Sequence, residues 1–268
     1  MPIDNESGTR LTYTPEHSAR LLREHESVLA DLQDLLFQGM VAAQSGLPSG
    51  AQLYLTQGVG RRVGVLRRAL YDVFTMFPPD RHDPIPRDDL TGVQISLHAF
   101  VINLAGVFDN WAWAYVIRHD LLESVGGRLN VGMFKRATQD VLPEGLRAYL
   151  GSQEISAWHD SYLKTYRDTL AHRIPLYIPP AAWTDADRLE YERLEAEKAR
   201  LIEERRWQEL DEVWSRQDKI GRACPMFLHE AVVGGDSRPV YLHPQMICDG
   251  MTVVDFGRRF YEQWHICV

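Results

Sequence analysis

Apolar residues recur with helical spacing along most of this chain. From Thr14 onward, Leu21, Leu22, Val28, Leu29, Leu32, Leu35 and Leu36 follow the three-and-four rhythm of one helix face. Thr14 supplies an N-cap oxygen and Pro15 a preset first-turn φ, so the spacing predicts a helix over 15–44, broken by Gly46 and Pro48. A second helix is predicted over 49–77, through Leu53, Val63, Leu66, Leu70, Val73 and Phe77, with Pro78-Pro79 as its stop. The run PPDRHDPIPRDD is a loop, because its four prolines do not fit a helix interior. A third helix, 88–119, is apolar nearly all round, with Ile95, Leu97, Phe100, Val101, Leu104, Phe108, Trp111, Trp113 and Tyr115. That is the pattern of a central, buried helix.

Residues 120–151 read as loop and short helices, broken by Gly126-Gly127, Pro143 and Gly151. A helix over 153–173 carries Ile155, Trp158, Tyr162, Tyr166 and Leu170, the last four at successive i+4 steps, and Pro175, Pro179 and Pro180 end it. Between 185 and 212 there are 11 acidic and 6 basic residues. Asp185/Arg188, Glu190/Arg193, Glu195/Lys198, Glu197/Arg200 and Glu203/Arg206 stand at i,i+3, where each pair stabilises a helix by roughly 0.2–0.5 kcal/mol. One long solvated helix over 184–219, with a narrow Leu194/Leu201 stripe, is the expectation. Segments 227–233 and 238–243 flank Gly234-Gly235-Asp236 as a β-hairpin. A final helix over 252–265 shows Val253, Phe256, Phe260 and Trp264. The predicted fold class is mainly α: an antiparallel helical bundle over 1–180. An appended charged helix, β-hairpin and terminal helix over 181–268 pack on that core.

Composition narrows the function classes. With 268 residues, 45% of them hydrophobic and 25% charged, the chain can bury a substantial core, which excludes a mainly disordered protein. A net charge of −8 argues against a general nucleic-acid coat but permits a local basic groove. Cys224, Cys248 and Cys267 form no C-x-x-C, which favours a reducing compartment. The opening MPIDNESGTR has neither a basic n-region nor an apolar h-region. The most apolar stretch, 93–117, is interrupted by Ser96, His98, Asn103, Asp109 and Asn110. A cytoplasmic location with no membrane partner is therefore expected.

The chemistry centres on Arg167-Asp168-Thr169-Leu170-Ala171-His172. With 25 arginines and 10 histidines, about one Arg-x4-His pair arises by chance, and the chain holds three: Arg20/His25, Arg167/His172 and Arg238/His243. Only Arg167 has a polar residue after it, a small residue before the histidine and a helix end just beyond. Asp168 and His172 stand at i,i+4, so the carboxylate is placed to orient the imidazole and favour its charged form. A helix C-terminus also favours an imidazolium. Arg167 offers a planar fork suited to phosphate. A histidine to take the proton of a ribose 2′-hydroxyl and a guanidinium to stabilise the phosphorane make a minimal metal-free set for cleaving RNA.

RDTLAH resembles the R-x(4–6)-H signature of the HEPN superfamily, whose domains are compact helical bundles with the motif at the end of a late helix. The likeness covers about residues 15–180. The run AHRIPLYIPP also resembles a set of uncharacterised bacterial proteins. The resemblance implies a metal-independent endoribonuclease in a phage-defence or toxin–antitoxin setting, with Arg167 and His172 as catalytic residues and Asp168 as polar helper. It implies a homodimer in which two motifs form one cleft, with an antitoxin or defence-system partner. Ile174 departs from those HEPN toxins that carry Tyr two residues after the histidine for modification. The alternative is a non-catalytic HEPN-like interaction or nucleic-acid-binding module.

Arg61, Arg62, Arg67 and Arg68 form a basic cluster on the second helix. Arg61, Arg62 and Arg68, with Arg173, are the candidate RNA contacts. Ser96, Asn103 and Asn110 repeat every seven residues beside Asp109, which makes Asn103, Asp109 and Asn110 candidate cleft-lining residues. Cys224-x4-His229 and His243-x4-Cys248 flank the hairpin with zinc-ligand chemistry but without the familiar C-x(2–4)-C…H-x(3–5)-H order. Zinc is the lesser reading there, and no cofactor is expected.

Overall fold

The computed structural model describes residues 12–44, 46–173, 175–229 and 238–267, with only the backbone described for His172, His229 and Arg238. Helix α1 runs Pro15–Ala43, and the Thr14 hydroxyl accepts the His17 N–H at 3.3 Å. Ser18, Leu21, His25, Val28, Leu32, Leu35 and Gly39 form its buried stripe. The second helix is continuous but changes pitch: α2 Ser49–Leu53, a π-helical segment Tyr54–Gly60, then α3 Arg61–Met76. Helix α4, Arg87–Arg118, is the central element, burying a broad face from Val93 to Val116, while Ile95, Ile102 and Asp109 line an exposed stripe, so it is not buried all round as its composition suggests. By length and composition α4 is apolar enough to cross a membrane. In this fold Phe100, Val101, Leu104 and Trp111 are fully enclosed by protein, whereas Ile95 and Ile102 stay exposed.

Short helices α5 (Arg136–Gln139) and α6 (Glu144–Leu150) follow. Helix α7, Gln153–Ala157, passes through a second π-helical segment, Trp158–Leu163, into α8, Lys164–His172. The expected helix over 153–173 is therefore present, with an unexpected change of pitch inside it. The mainly α class holds as well.

Three expectations need correction. The charged region is two helices, α9 (Asp185–Glu203) and α10 (Trp207–Gln217). They are joined through Arg205, whose φ of 55° turns the chain back. Leu194, Leu201 and Val213 make a small core of their own between them, so the narrow stripe seals a helical hairpin. Of the expected ion pairs, Asp185/Arg188, Glu190/Arg193 and Glu195/Lys198 form, but Arg206 engages Glu204 and Glu209 rather than Glu203, and Glu197 engages Arg193 and Arg216 rather than Arg200. The final helix, α11, begins ten residues early, spanning Leu242–Glu262. Leu242, His243, Met246 and Ile247 are buried residues of α11 and extend its apolar face back to the strand, a signal hidden by Pro244 and Asp249.

Strands β1 (Met226–His229) and β2 (Arg238–Tyr241) pair antiparallel, Met226 opposite Tyr241 and Leu228 opposite Pro239. The expected Gly234–Asp236 turn lies outside the described residues. Leu228 exchanges backbone hydrogen bonds with Tyr177 (2.7 and 3.2 Å), so β1 is flanked on both sides and Pro239 sits where no ladder donor is needed. Phe256, Phe260 and Trp264 then join Phe108 and Trp111 in the main core, making the C-terminal helix integral to the bundle that α1, α3 and α4 build.

Candidate nucleic-acid site

Arg167 and Asp168 project from α8, about one turn after the π-helical segment. Arg167 Nη1 lies 3.1 Å from Asp168 Oδ1, and both side chains are partly open to solvent. The recorded partner of Asp168 is thus the motif arginine itself. His172 ends α8, and its side chain lies outside the described residues, as does Ile174. Arg173 follows as an exposed C-cap, its N–H bonded to the Thr169 carbonyl at 2.9 Å. On α4, His98 Nε2 meets the Leu176 carbonyl at 3.0 Å, tying the segment after the motif to the central helix.

The basic residues of α3 part company. Arg61 is exposed beside an apolar groove between α1 and the first π-helical segment. Arg68 points outward and pairs with Asp72 at 2.8 Å, and Arg67 reaches the Leu29 carbonyl. Arg62 turns inward to α4. Its Nε donates to Asn110 Oδ1 at 2.9 Å and its Nη1 to Asn103 Oδ1 at 3.1 Å. Asn103 in turn donates to the Ala99 carbonyl at 2.7 Å, which fixes the amide. The heptad asparagines are therefore the seat of one arginine, held by neutral oxygens that leave its charge uncancelled.

Asp109 stands one residue from Asn110 and brings these groups to the motif. The protein around its carboxyl strips water and raises its pKa above the ordinary carboxylate value, although one face stays open to solvent. Arg167, Lys135, Arg62 and His159 pull in the opposite direction, so all four lie within electrostatic range of that carboxyl. A β-carbon added at Gly132 would stand 3.3 Å from both Asp109 Oδ1 and Lys135 Cδ, so the two side chains converge over that glycine. Beside them the His159 ring stacks on Phe134, centroids 3.8 Å apart and planes within 13°. His159 Nδ1 lies 2.7 Å from Asp160 Oδ1.

Lys135, Phe134 and His159 are the members that sequence reasoning missed. Their elements come together only through the chain's return past α4, and no local motif marks them. The sequence carries no signal for them; in the structure His159 falls in the π-helical segment Trp158–Leu163, and such insertions are frequent at functional sites. That insertion is pinned from the far side by a buried carboxyl: Asp249 accepts hydrogen bonds from Trp158 Nε1 (2.8 Å), Tyr162 Oη (2.8 Å) and Gln245 Nε2 (2.9 Å).

The Cys/His set flanking the hairpin does not assemble as a zinc site. His243 is fully buried, with Nε2 facing the Phe77 carbonyl and Nδ1 the Tyr13 hydroxyl at 3.3 Å, so neither ring nitrogen is left for a metal. Burial lowers its pKa to about 4, as for a neutral core histidine. Cys224 is buried, Cys248 is exposed, and the His229 side chain lies outside the described residues. Among the described residues no three His, Cys, Asp or Glu side chains are grouped to share a metal ion.

Comparison with protein-family models, curated proteins and solved structures returned no match to this chain.

Proposed function

We propose that the protein is a metal-independent endoribonuclease that cleaves at the Arg167–His172 motif. One observation carries this reading: Arg167 stands partly open to solvent on α8, while Arg62 of α3 is seated on Asn103 and Asn110 of α4 and Lys135 meets the neighbouring Asp109 over Gly132. Cations gathered from separate segments beside a solvent-open motif suit a phosphodiester, whose charge grows in the transition state. In the proposed reaction His172 takes the proton of a ribose 2′-hydroxyl. The 2′-oxygen attacks phosphorus, the bond to the 5′-oxygen breaks, and that oxygen leaves with the proton that His172 took, returned through water. Arg167 stabilises the phosphorane, and Asp168 holds Arg167 in place. The fragments carry a 2′,3′-cyclic phosphate and a 5′-hydroxyl. A homodimer, an antitoxin-like partner and a defence role belong to the same proposal.

The test compares the wild type with Arg167→Ala and His172→Ala on single-stranded and structured RNA in EDTA. Cleavage to cyclic-phosphate ends, lost in both folded variants, is the expected result. A folded wild type that cleaves no RNA overturns the nuclease reading and leaves a non-catalytic binding module.

A further inference from the structure

The Asp109 patch contains more than a nuclease motif requires. Arg62, Lys135 and Arg167 offer positive charge, and Arg62 Nη2 has no protein partner among the described residues. A patch built for phosphate alone would exclude a carboxylate, because like charges repel. Here an exposed carboxylate stands over Gly132 beside the Lys135 stem, one residue from the Asn110 that seats Arg62. A carboxylate accepts hydrogen bonds, and the donors next to a phosphate in a nucleic acid strand are ribose hydroxyls. The third component is aromatic. Phe134 and His159 form a stacked, partly exposed pair next to Lys135, and such faces receive bases in single-strand-binding proteins.

We propose that this patch binds one nucleotide of single-stranded RNA and selects it over DNA. Arg62, Lys135 and Arg167 hold the phosphate, Asp109 accepts the ribose 2′-hydroxyl, and the Phe134/His159 pair carries the base. The proposal names the substrate of the site assigned above and rests on that reading only for the role of Arg167 in cleavage. A DNA strand offers the same phosphate and base but nothing to the Asp109 carboxylate. Discrimination therefore sits at Asp109, and overall affinity at the cations and the stack.

The experiment measures fluorescence anisotropy of labelled oligouridine and of oligodeoxyuridine of equal length, so that the two differ only at the 2′ position. The full chain is used, and recovered oligonucleotide is checked for integrity. The wild type is expected to bind the ribo-oligomer about tenfold or more tighter, the scale of one good hydrogen bond to a charged group. Asp109→Ala brings the two affinities level by weakening RNA alone, whereas Lys135→Ala weakens both alike. Asp109→Asn, which keeps the side-chain size, provides the same comparison if the alanine variant fails to fold, and is expected to lose most of the preference. Equal wild-type affinities, no binding of either strand, or a preference that survives at Asp109 overturns the proposal. Preference without cleavage would remove the nuclease and leave this patch. Cleavage without preference would do the reverse.

Discussion

Arg62 and Gly106 share one space. A β-carbon at residue 106 would stand 2.4 Å from both Cζ and Nη1 of Arg62, so the guanidinium lies flat against bare α4 backbone. Gly106→Ala would push out the end of a flexible side chain and break its bonds to Asn103 and Asn110. Alanine also favours a helix interior over glycine by about 1 kcal/mol, which offsets part of that loss. Arg62→Ala has no such compensation and leaves two part-buried amide oxygens unpaired, a cost of roughly 1–3 kcal/mol. Urea melts should therefore place Arg62→Ala clearly below the wild type and Gly106→Ala between them. Equal midpoints for all three proteins would mean that the guanidinium seat contributes nothing to stability.

Asp249 and His243, both fully buried on α11, set opposing pH dependences. Burial raises the Asp249 carboxyl to about 6, against an unfolded value near about 3.9. The folded protein then binds the extra proton between those values, so this group's contribution falls as pH rises through about 6. His243 is lowered to about 4, so its contribution is full above the unfolded value near about 6.5 and is lost as pH falls towards 4. Asp249→Asn removes the first slope and keeps the second. Denaturation at pH 4.5 and 6.5 should show the variant gaining more stability with pH than the wild type, by on the order of 2 kcal/mol. Parallel profiles would mean that Asp249 does not titrate in this range.

The α9–α10 hairpin separates apolar from ionic stabilisation. Arg193 pairs with Glu190 at 2.8 Å and Glu197 at 3.7 Å but is more than half exposed, so Arg193→Ala should cost under about 1 kcal/mol. Leu201 is 2% exposed in the small core with Leu194 and Val213. Leu201→Ala should cost roughly 2–5 kcal/mol, felt mainly within the hairpin. Hydrogen exchange should quicken across α9 and α10 in that variant while α4 keeps its protection. Equal quickening in α4 would show that the two cores unfold together.

The long helices were legible because their periods are long and their stops are unambiguous. Thr14-Pro15 and Pro78-Pro79 bracket the first two long helices, and α4 is marked by being apolar nearly all round. The break at Arg205 was hidden because charge pairing continues across it, and local helix signals do not record a single left-handed residue. The start of α11 was missed because Pro244 reads as a stop, whereas it stands in the first turn, where proline is tolerated. At the site, the heptad Asn103/Asn110 and adjacent Asp109 could be found from sequence, as could Arg62 as a basic residue. That Arg62 belongs with the asparagines, and apart from Arg68, depends on which way α3 faces α4. Lys135 and His159 reach Asp109 only through tertiary return of the chain.

Salt dependence provides a count of the cations that meet phosphate. Each contact to single-stranded nucleic acid contributes a slope of roughly 0.7 in log K against log salt, through release of condensed counterions. Lys135 and Arg167 face the same phosphate, so Lys135→Ala and Arg167→Ala should each flatten the slope for oligouridine in part, and the double variant by up to about 0.7 in all. Arg68→Ala is the control: its guanidinium already pairs with Asp72 at 2.8 Å and points away from α4, so its slope should match the wild type. Anisotropy titrations across a salt series would read the wild-type slope and the four variant slopes. A flattened slope in Arg68→Ala with unchanged slopes at Lys135 and Arg167 would move the strand to the outer face of α3. That result would separate it from the RDTLAH helix.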